Sequence, residues 1–334
     1  MTMYTYPWYH WITFFYIYCF CGWIFESTYV SLKERHFVNR GFLRLPMLPI
    51  YGTGAVMMLW VSLPVQDNLI LVYIAGFMAA TALEYVTGYV MERLFKMKYW
   101  DYSSQRFNFR GYICLSSSIA WGFLTILVVK LIHRPIADFV LNLNPAMEYA
   151  MIGMISVLFI ADTVKSTQEA LELARVLEAM TKLKAETEEL QVQLALLKAE
   201  TAQKAEEFYV ETSDKILELK DETRQKVTEF ADETRLRVSE LREETSARLE
   251  YMQDKVSQHT QHTAKLLNDL QQHQNALSDR LRITIENRRN LTHHMSFYRK
   301  GLLKGNPTAS SRTFSEALKE LRIILENTDH SGTD

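Results

Sequence analysis

Cysteine, proline and glycine are scarce in this 334-residue chain, which contains 3, 7 and 12 of them. The cysteines, Cys19, Cys21 and Cys114, lie in or beside apolar runs, so they indicate neither a disulfide framework nor a zinc site. We expect them to be small packing residues. Glycine and proline are absent from residues 165–296, a stretch rich in Glu, Lys, Arg, Gln and Leu. No residue in that stretch therefore breaks a helix.

The sequence also lacks the motifs of common nucleotide, hydrolase and metal sites. It has no G-x-x-x-x-G-K-[ST], no G-x-S-x-G and no H-E-x-x-H. Gly52 and Gly54 in YGTGAV have neither a third glycine nor a preceding strand, and we expect them to permit close helix packing or a tight entry into the membrane. There is no strongly basic region, zinc finger or helix-turn-helix, which argues against a nucleic-acid partner. We predict no enzyme activity, no cofactor and no metal site. The long helix carries four histidines that fit a solvated helix face better than a metal site: His259, His262, His293 and His294.

Apolar runs in the first half predict five membrane spans, since a spanning helix needs roughly 20 mainly apolar residues. The predicted spans run from about Trp8 to Val30, Ile50 to Val65, Leu69 to Val90, Ile113 to Ile132 and Met147 to Val164. The first run has no basic segment before it and no small-residue cleavage site after it. It is therefore predicted to be a retained span rather than a signal peptide.

The Lys and Arg residues of the predicted loops alternate along the chain. The segment before the first span and the loop between the second and third spans have none. The first loop carries Lys33, Arg35, Arg40 and Arg44, the third carries Arg93, Lys96, Lys98, Arg106 and Arg110, and the fourth carries only Arg134. The positive-inside rule places the first and third loops and the C-terminal half in the cytoplasm of a bacterial plasma membrane, with the N-terminus outside.

The second half predicts a long helix with an internal repeat. Glu-Thr recurs with a period of 11 over residues 200–254, with a base four residues after each Glu and apolar residues five and eight after it. The basic residue four positions after each Glu favours an i,i+4 ion pair with that Glu. A repeat of 11 residues per three helical turns predicts at most a weak right-handed supercoil. We assign a membrane domain to residues 1–164, the long helix to 165–298, and a linker, a short amphipathic helix and a disordered tail to 299–334.

The narrow apolar stripe on this charged helix has two interpretations. A coiled coil with other copies of the chain, giving a homo-oligomer, fits the mixed charges beside the stripe. An amphipathic helix lying on the bilayer would carry a more basic polar face. We favour the coiled coil.

Of the acids near the cytoplasmic ends of the predicted spans, two lie several residues inside the boundary. Glu26 is the sole formal charge in the run from Trp11 to Val30 and lies seven residues, or about 10 Å, before Lys33. Glu84 lies at a similar depth before Arg93. Ionisable groups at such depth face a bundle interior or a cavity and pair with other groups.

The partners of these acids are expected in the two basic loops, which are rich in aromatic and polar residues and can dip between helices. Arg40, Arg106 and Arg110 are the candidate cations. The resulting buried ion pairs either fix helix register or line a cytoplasm-facing pocket, and the sequence leaves both open. The candidate pocket residues are Glu26, Arg40, Tyr51, Glu84, Glu92, Trp100, Asp101, Asn108 and Arg110.

Seven motifs occur in order over about residues 10–165: GWIFES, FVNRGFL, PIYGTGA, LEY, MERLF, WDYS and FNxxGxICL. In these motifs the chain resembles the bacterial ABC-transporter permease family, type IV. The resemblance implies a multi-span, all-α membrane protein with a transport role and, since the chain has no phosphate loop, a separate ATPase subunit. The predicted function is a permease-like subunit with a polar pocket and a coiled-coil rod for oligomerisation or partner docking. The alternatives are a membrane-anchored scaffold and a ligand-responsive sensor.

Overall fold

The chain is almost entirely α-helical, as the sequence predicts. A computed structural model describes residues 6–232, 238–293 and 295–330. Its helices are α1 (Trp8–Glu34), α2 (Pro49–Ser62), α3 (Leu69–Phe95), α4 (Leu115–Leu127), α5 (His133–Leu141), α6 (Pro145–Asp232), α7 (Val238–His293), α8 (Phe297–Gly305) and α9 (Ser315–His330). A 3-10 turn (Leu63–Val65) follows α2, and a π-helical turn (Val128–Ile132) joins α4 to α5. The strands β1 (Asn108–Phe109) and β2 (Ile113–Cys114) form a small antiparallel hairpin.

Three helical stretches of the described residues, rather than the predicted five, are long and apolar enough to cross a membrane. They are α3, the α4–α5 stretch Leu115–Leu141 and the apolar beginning of α6. The helix α1 has 27 residues, but its many Tyr and Trp residues and His10 lower its mean hydropathy. The helix α2 has 14 residues, or about 21 Å, and is therefore too short alone. The prediction of five spans is corrected to three.

The helices α1 and α2 nevertheless lie within the same bundle as the three candidate spans. At one end of α6, His10 of α1 bonds Glu148 at 2.9 Å. Farther along, the Tyr16 hydroxyl lies 2.7 Å from Ser156 Oγ. At the other end, Asp162 accepts the Arg44 backbone N–H at 2.9 Å, just before α2 begins. The α1–α2 hairpin thus extends beside the apolar part of α6 from end to end.

Glycines allow both helix hairpins to pack closely. A Cβ on Gly52 would lie 2.4 Å from Cys19 Sγ, so α2 approaches α1 as only glycine permits. A Cβ on Gly76 of α3 would lie 2.0 Å from Thr125 Oγ1 of α4. Small residues permit such backbone approach in membrane bundles, where dispersion contacts hold helices together.

Two irregular loops lie at one end of the bundle, which we call the loop end. Loop A (residues 35–48) joins α1 to α2, and loop B (residues 96–114) joins α3 to α4. Loop A turns back along α1, where the Val38 N–H donates to Ser31 and the Arg40 N–H donates to Ser27. Loop B carries the β1–β2 hairpin, and Phe109 lies 5.6 Å from the ring of Tyr85 on α3.

The C-terminal segment belongs to the same compact unit as the bundle. Met1–Thr181 and Leu291–Asp334 form one unit, and Lys182–Asn290 forms a second. Helices α8 and α9 share an apolar core with residues of α6, including Leu173, Leu177, Leu303 and Leu321. Residues 299–334, expected as a linker, a short helix and a tail, thus contain packed helices up to His330.

The second unit consists of the rest of α6 and most of α7. Residues 233–237, inside the predicted continuous helix, lie outside the described residues. Two of the predicted i,i+4 pairs are present: Lys204 with Glu200 at 2.7 Å and Lys215 with Glu211 at 2.8 Å. In the later repeats, one or both residues of each pair lie outside the described side chains. The stripe residue Ile216 is 56% exposed, so its apolar surface is available to a further partner.

Candidate functional site

Glu26 of α1 faces α2 and loop A. The Tyr51 hydroxyl donates a hydrogen bond to Glu26 Oε1 at 2.5 Å, and Arg40 Nε lies 3.5 Å from Oε2. Tyr51 is the third residue of α2, which begins at Pro49. Gly22, one turn before Glu26, makes room for this side chain, since a Cβ there would lie 2.3 Å from the Tyr51 Cβ. The predicted pairing of Glu26 with Arg40 and the candidate Tyr51 come together here.

Arg40 also binds the C-terminal segment. Its Nη1 donates to Asn306 Oδ1 at 2.7 Å and to the Gly305 carbonyl at 3.2 Å. Asn306 is 2% exposed and donates to the carbonyls of Gly41 and Leu302. One buried asparagine thus connects the cation of loop A to the end of α8.

Glu84 of α3 is 5% exposed and accepts three hydrogen bonds. The Tyr102 hydroxyl donates to Oε1 at 3.0 Å, while Ser117 Oγ and Trp121 Nε1 donate to Oε2 at 3.3 and 3.1 Å. All three donors are neutral. Within the described part of the chain, no Lys or Arg forms an ion pair with Glu84. The expected arginine partner is therefore replaced by loop B and α4 donors.

The side chains that bond Glu26 lie next to those that bond Glu84. The rings of Tyr51 and Trp121 lie 6.2 Å apart, edge to face. Burial raises the pKa of the Tyr102 hydroxyl, and the Glu84 carboxylate and, more weakly, that of Glu26 add to the rise. Tyr102 is thus within electrostatic reach of both acids. We call the set Glu26, Arg40, Tyr51, Glu84, Tyr102, Ser117 and Trp121 the polar cluster.

Three of the predicted site residues stabilise the conformation of loop B and are not hydrogen-bonded to Glu26 or Glu84. Trp100 donates to the Tyr112 carbonyl at 2.9 Å. Asp101 accepts from Ser103 and Ser310, and lies 3.4 Å from Lys98 Nζ. Although burial alone would raise its pKa, these contacts together lower it. Asn108 donates to two loop carbonyls and accepts the Gly111 N–H.

Glu92 and Arg110 complete the predicted set and lie apart from Glu26 and Glu84. Glu92 pairs with Arg312 at 3.9 Å. The Arg110 guanidinium lies over the Phe109 ring at 5.8 Å and is exposed, while its carbonyl accepts from Lys98 and Arg312. Arg106 is also exposed. Neither arginine of loop B therefore serves as the partner of Glu84.

Sequence reasoning missed three side chains of the polar cluster and the residue that holds Arg40. Tyr102 stood out only as part of an aromatic loop. Ser117 and Trp121 lie one turn apart at the beginning of α4, a spacing that places both on one helix face. Asn306 carries no signal, since it lies 266 residues from Arg40.

Two further buried groups lie outside the polar cluster. Glu148 is 1% exposed; its Oε1 accepts from Thr13 at 2.6 Å and meets His10 Nδ1 at 2.9 Å. Asp162 accepts the backbone N–H groups of Arg44 and Leu45, which ties loop A to α6. These acids join α1 and loop A to the same helix.

A mostly apolar groove lies near the opposite end of the α1–α2 hairpin. It has a volume of about 350 Å³, and its lining residues are Trp11, Ile12, Phe15, Thr53, Val56, Met57 and Trp60. It contains none of the predicted site residues. Among the described residues, no three His, Cys, Asp or Glu side chains gather in a way that could hold a metal ion.

Comparison with known proteins finds one family model that matches the membrane half. Residues 13–167 match the family described as putative ABC-transporter type IV. The match begins within α1 and covers α2 to α5, both loops and the apolar beginning of α6. The chain matches no curated protein and no solved structure.

Proposed function

We propose that residues 13–167, the ABC-transporter type IV segment, form a permease-like membrane subunit whose polar cluster is the substrate site. The observation that carries this proposal is the convergence of Glu26 and Glu84 from separate helix hairpins onto Tyr51, Tyr102 and Trp121. Buried ionisable groups are costly in a bilayer and are kept where a pathway or binding site needs them.

The sidedness proposed for this subunit follows from charge. The basic residues of loops A and B gather at the loop end, whereas the turn at residues 66–68 has none. The positive-inside rule then gives an outer N-terminus and a cytoplasmic loop end. The polar cluster would open toward the cytoplasm, and residues 182–290 would lie there.

The energy source of such a permease would be a separate chain. The sequence has no phosphate-binding loop, so an ATPase subunit is the partner that the family assignment suggests. The exposed stripe of the second unit, including Ile216, supports a role in homo-oligomerisation as a coiled coil or in docking that subunit.

A ligand-responsive sensor is the second candidate, and one contact favours it. Arg40 binds both Glu26 and Asn306, and the chain passes through the whole second unit between loop A and Asn306. A ligand that displaced Arg40 from Glu26 would also change the hydrogen bonds that Arg40 donates at the end of α8. A signal could then reach the second unit without any transport.

The test compares solute distribution in cells. A strain lacking the gene is complemented with wild type, Glu84→Gln or Glu26→Gln, and cell extract and medium are compared by untargeted mass spectrometry. A permease predicts a solute whose distribution wild type restores and Glu84→Gln does not, at equal amounts of inserted protein. Gln105→Ala, an exposed change in loop B, is the control and should behave as wild type. Identical profiles for all strains would contradict transport.

A further inference from the structure

The chain around Glu26 recurs around Glu84. Each acid is followed eight residues later by Glu-Arg, at 34–35 and at 92–93. Each is then followed by the motif Phe-x-x-Arg-Gly-(Phe/Tyr)-(Leu/Ile), at 37–43 and at 107–113. The second copy differs by an insertion within loop B that includes Tyr102.

The structure gives the two copies the same local form. Helices α1 and α3 have 27 residues each, and each is followed by a basic residue with positive φ, Arg35 at 59° and Lys96 at 57°. Relative to its Glu-Arg pair, α3 continues three residues farther than α1. The motif glycines, Gly41 and Gly111, also have positive φ. In each copy the third residue of the next helix donates to the acid: Tyr51 to Glu26 and Ser117 to Glu84. The two hairpins are therefore tandem structural repeats.

The repeats differ in the cation. Arg40 and Arg110 occupy the same motif position, but only Arg40 reaches its acid. Arg110 has a φ of 54°, and its guanidinium lies over Phe109. The inserted Tyr102 takes the corresponding place beside Glu84. In the first repeat the Glu26 carboxylate is thus paired with a cation. In the second, the Glu84 carboxyl group lies among neutral donors.

A buried carboxylate without a cation is costly in a membrane, and a bound proton removes that cost. The contacts of Glu84 are direct hydrogen bonds of 3.0–3.3 Å, so a larger cation could enter only by separating them. A proton needs no such space. Tyr102, which is partly exposed and bonds Oε1, connects this carboxyl group to the loop end.

We propose that Glu84 is a proton-binding site, loaded and unloaded through Tyr102 at the loop end, whereas Glu26 is paired with Arg40. The proposal deepens the proposed function, since it names the proton as a ligand of the same cluster. Protonation can nevertheless be measured on the isolated protein, independently of transport. The titratable or charged groups around Glu84 are Tyr102 and Cys114 of loop B, Tyr51 of α2, Glu26 of α1 and Arg40 of loop A.

The test is infrared difference spectroscopy of the full-length protein in lipid nanodiscs across a pH titration. A protonated carboxyl group gives a C=O stretching band that disappears when the proton leaves. Glu84→Gln should remove a band that wild type has, and Glu26→Gln, the matched change in the other repeat, should keep it. Tyr102→Phe removes a donor to the anionic form, so the band should persist to higher pH, by about one pH unit.

Further variants make the result decisive. Glu84→Asp keeps a carboxyl group in a changed position, so its band should move in frequency. Contributions from Glu148 and Asp162 should be equal in all variants. The proposal is overturned if the titrating bands are the same in wild type, Glu84→Gln and Glu84→Asp, or if Glu26→Gln alone removes one. A Glu84 band without any transported solute would leave this proposal standing and reject the permease.

Discussion

Arg40 is the residue on which the loop end depends. It contacts a carboxylate of α1, a carbonyl of α8 and the amide of Asn306. A buried cation is tolerable only when its donors are matched, and truncating one partner leaves the others desolvated. Asn306 both satisfies Arg40 and donates to Gly41 of the same loop. Its amide therefore adds to the direct Arg40–Gly305 bond in joining loop A to α8.

Replacing Asn306 with alanine should destabilise the protein by about 1–3 kcal/mol, because the Arg40 donor and the carbonyls of Gly41 and Leu302 each lose a partner. The measurement is thermal unfolding of the detergent-solubilised full chain. Asn142→Ala is the control, since Asn142 is exposed and bonds only a carbonyl one turn earlier. Equal melting curves for the two variants would mean that Asn306 has no such role.

The polar residues differ in how far the sequence predicts them. Glu26 and Arg40 are 14 residues apart on a helix and the loop after it, and their pairing is readable from charge and depth. Glu84 and Arg110 have the same sequence logic but do not pair, because Arg110 has positive φ and its side chain lies over Phe109. Residue type alone does not fix the backbone of a loop: glycine permits positive φ, and the residue type of Arg110 does not predict it.

At the scale of elements, glycine determines how closely helices approach. Gly76 faces Thr125 across the α3–α4 contact, and Gly52 faces Cys19 across the α1–α2 contact. Long apolar runs predict which segments of the membrane half are helices, and they do so well for α3 and α4. They predict spans less well for α1, whose Trp and Tyr residues are apolar in packing but count as polar in hydropathy.

Replacing Gly76 with leucine should separate α3 from α4 and lower stability by about 1–3 kcal/mol, since the side chain would overlap Thr125. The melting temperature of the purified protein is the readout. Gly153→Leu provides the comparison in another candidate span, because nothing lies within 4 Å of a Cβ built there. Similar losses in both variants would show that leucine itself, rather than the contact, is harmful.

At the scale of the molecule, both loops and the C-terminal segment meet at one end of the bundle. Arg40 bonds Gly305, and Lys98 pairs with Ser310 through two backbone hydrogen bonds. The sequence predicts the membrane half and the helical half as separate domains, because composition changes near residue 165. It does not predict the return of α8 and α9, since contacts across more than 100 intervening residues leave no local pattern.

The proposed sidedness predicts opposite labelling at the two ends of the bundle. In a background with Cys19, Cys21 and Cys114 replaced by alanine, Asp67→Cys should react with a membrane-impermeant maleimide in intact spheroplasts. Gln105→Cys in loop B should react only after the membrane is permeabilised. Both native positions are exposed, so accessibility within the protein is matched. Labelling of Gln105→Cys in intact spheroplasts would reverse the assigned orientation.

The insertion of Lys182–Asn290 between two parts of one compact unit has a consequence during synthesis. Translation at about 5–20 residues per second needs roughly 5–20 s to produce the intervening chain of about 110 residues. During that interval Arg40 lacks its hydrogen-bond partner Asn306. The apolar side chains of Leu173 and Leu177 likewise lack α8 and α9, against which they pack in the folded protein. The nascent protein therefore passes through an obligatory, incompletely closed intermediate. It is then that a chaperone or a companion subunit has its best opportunity to bind the loop end.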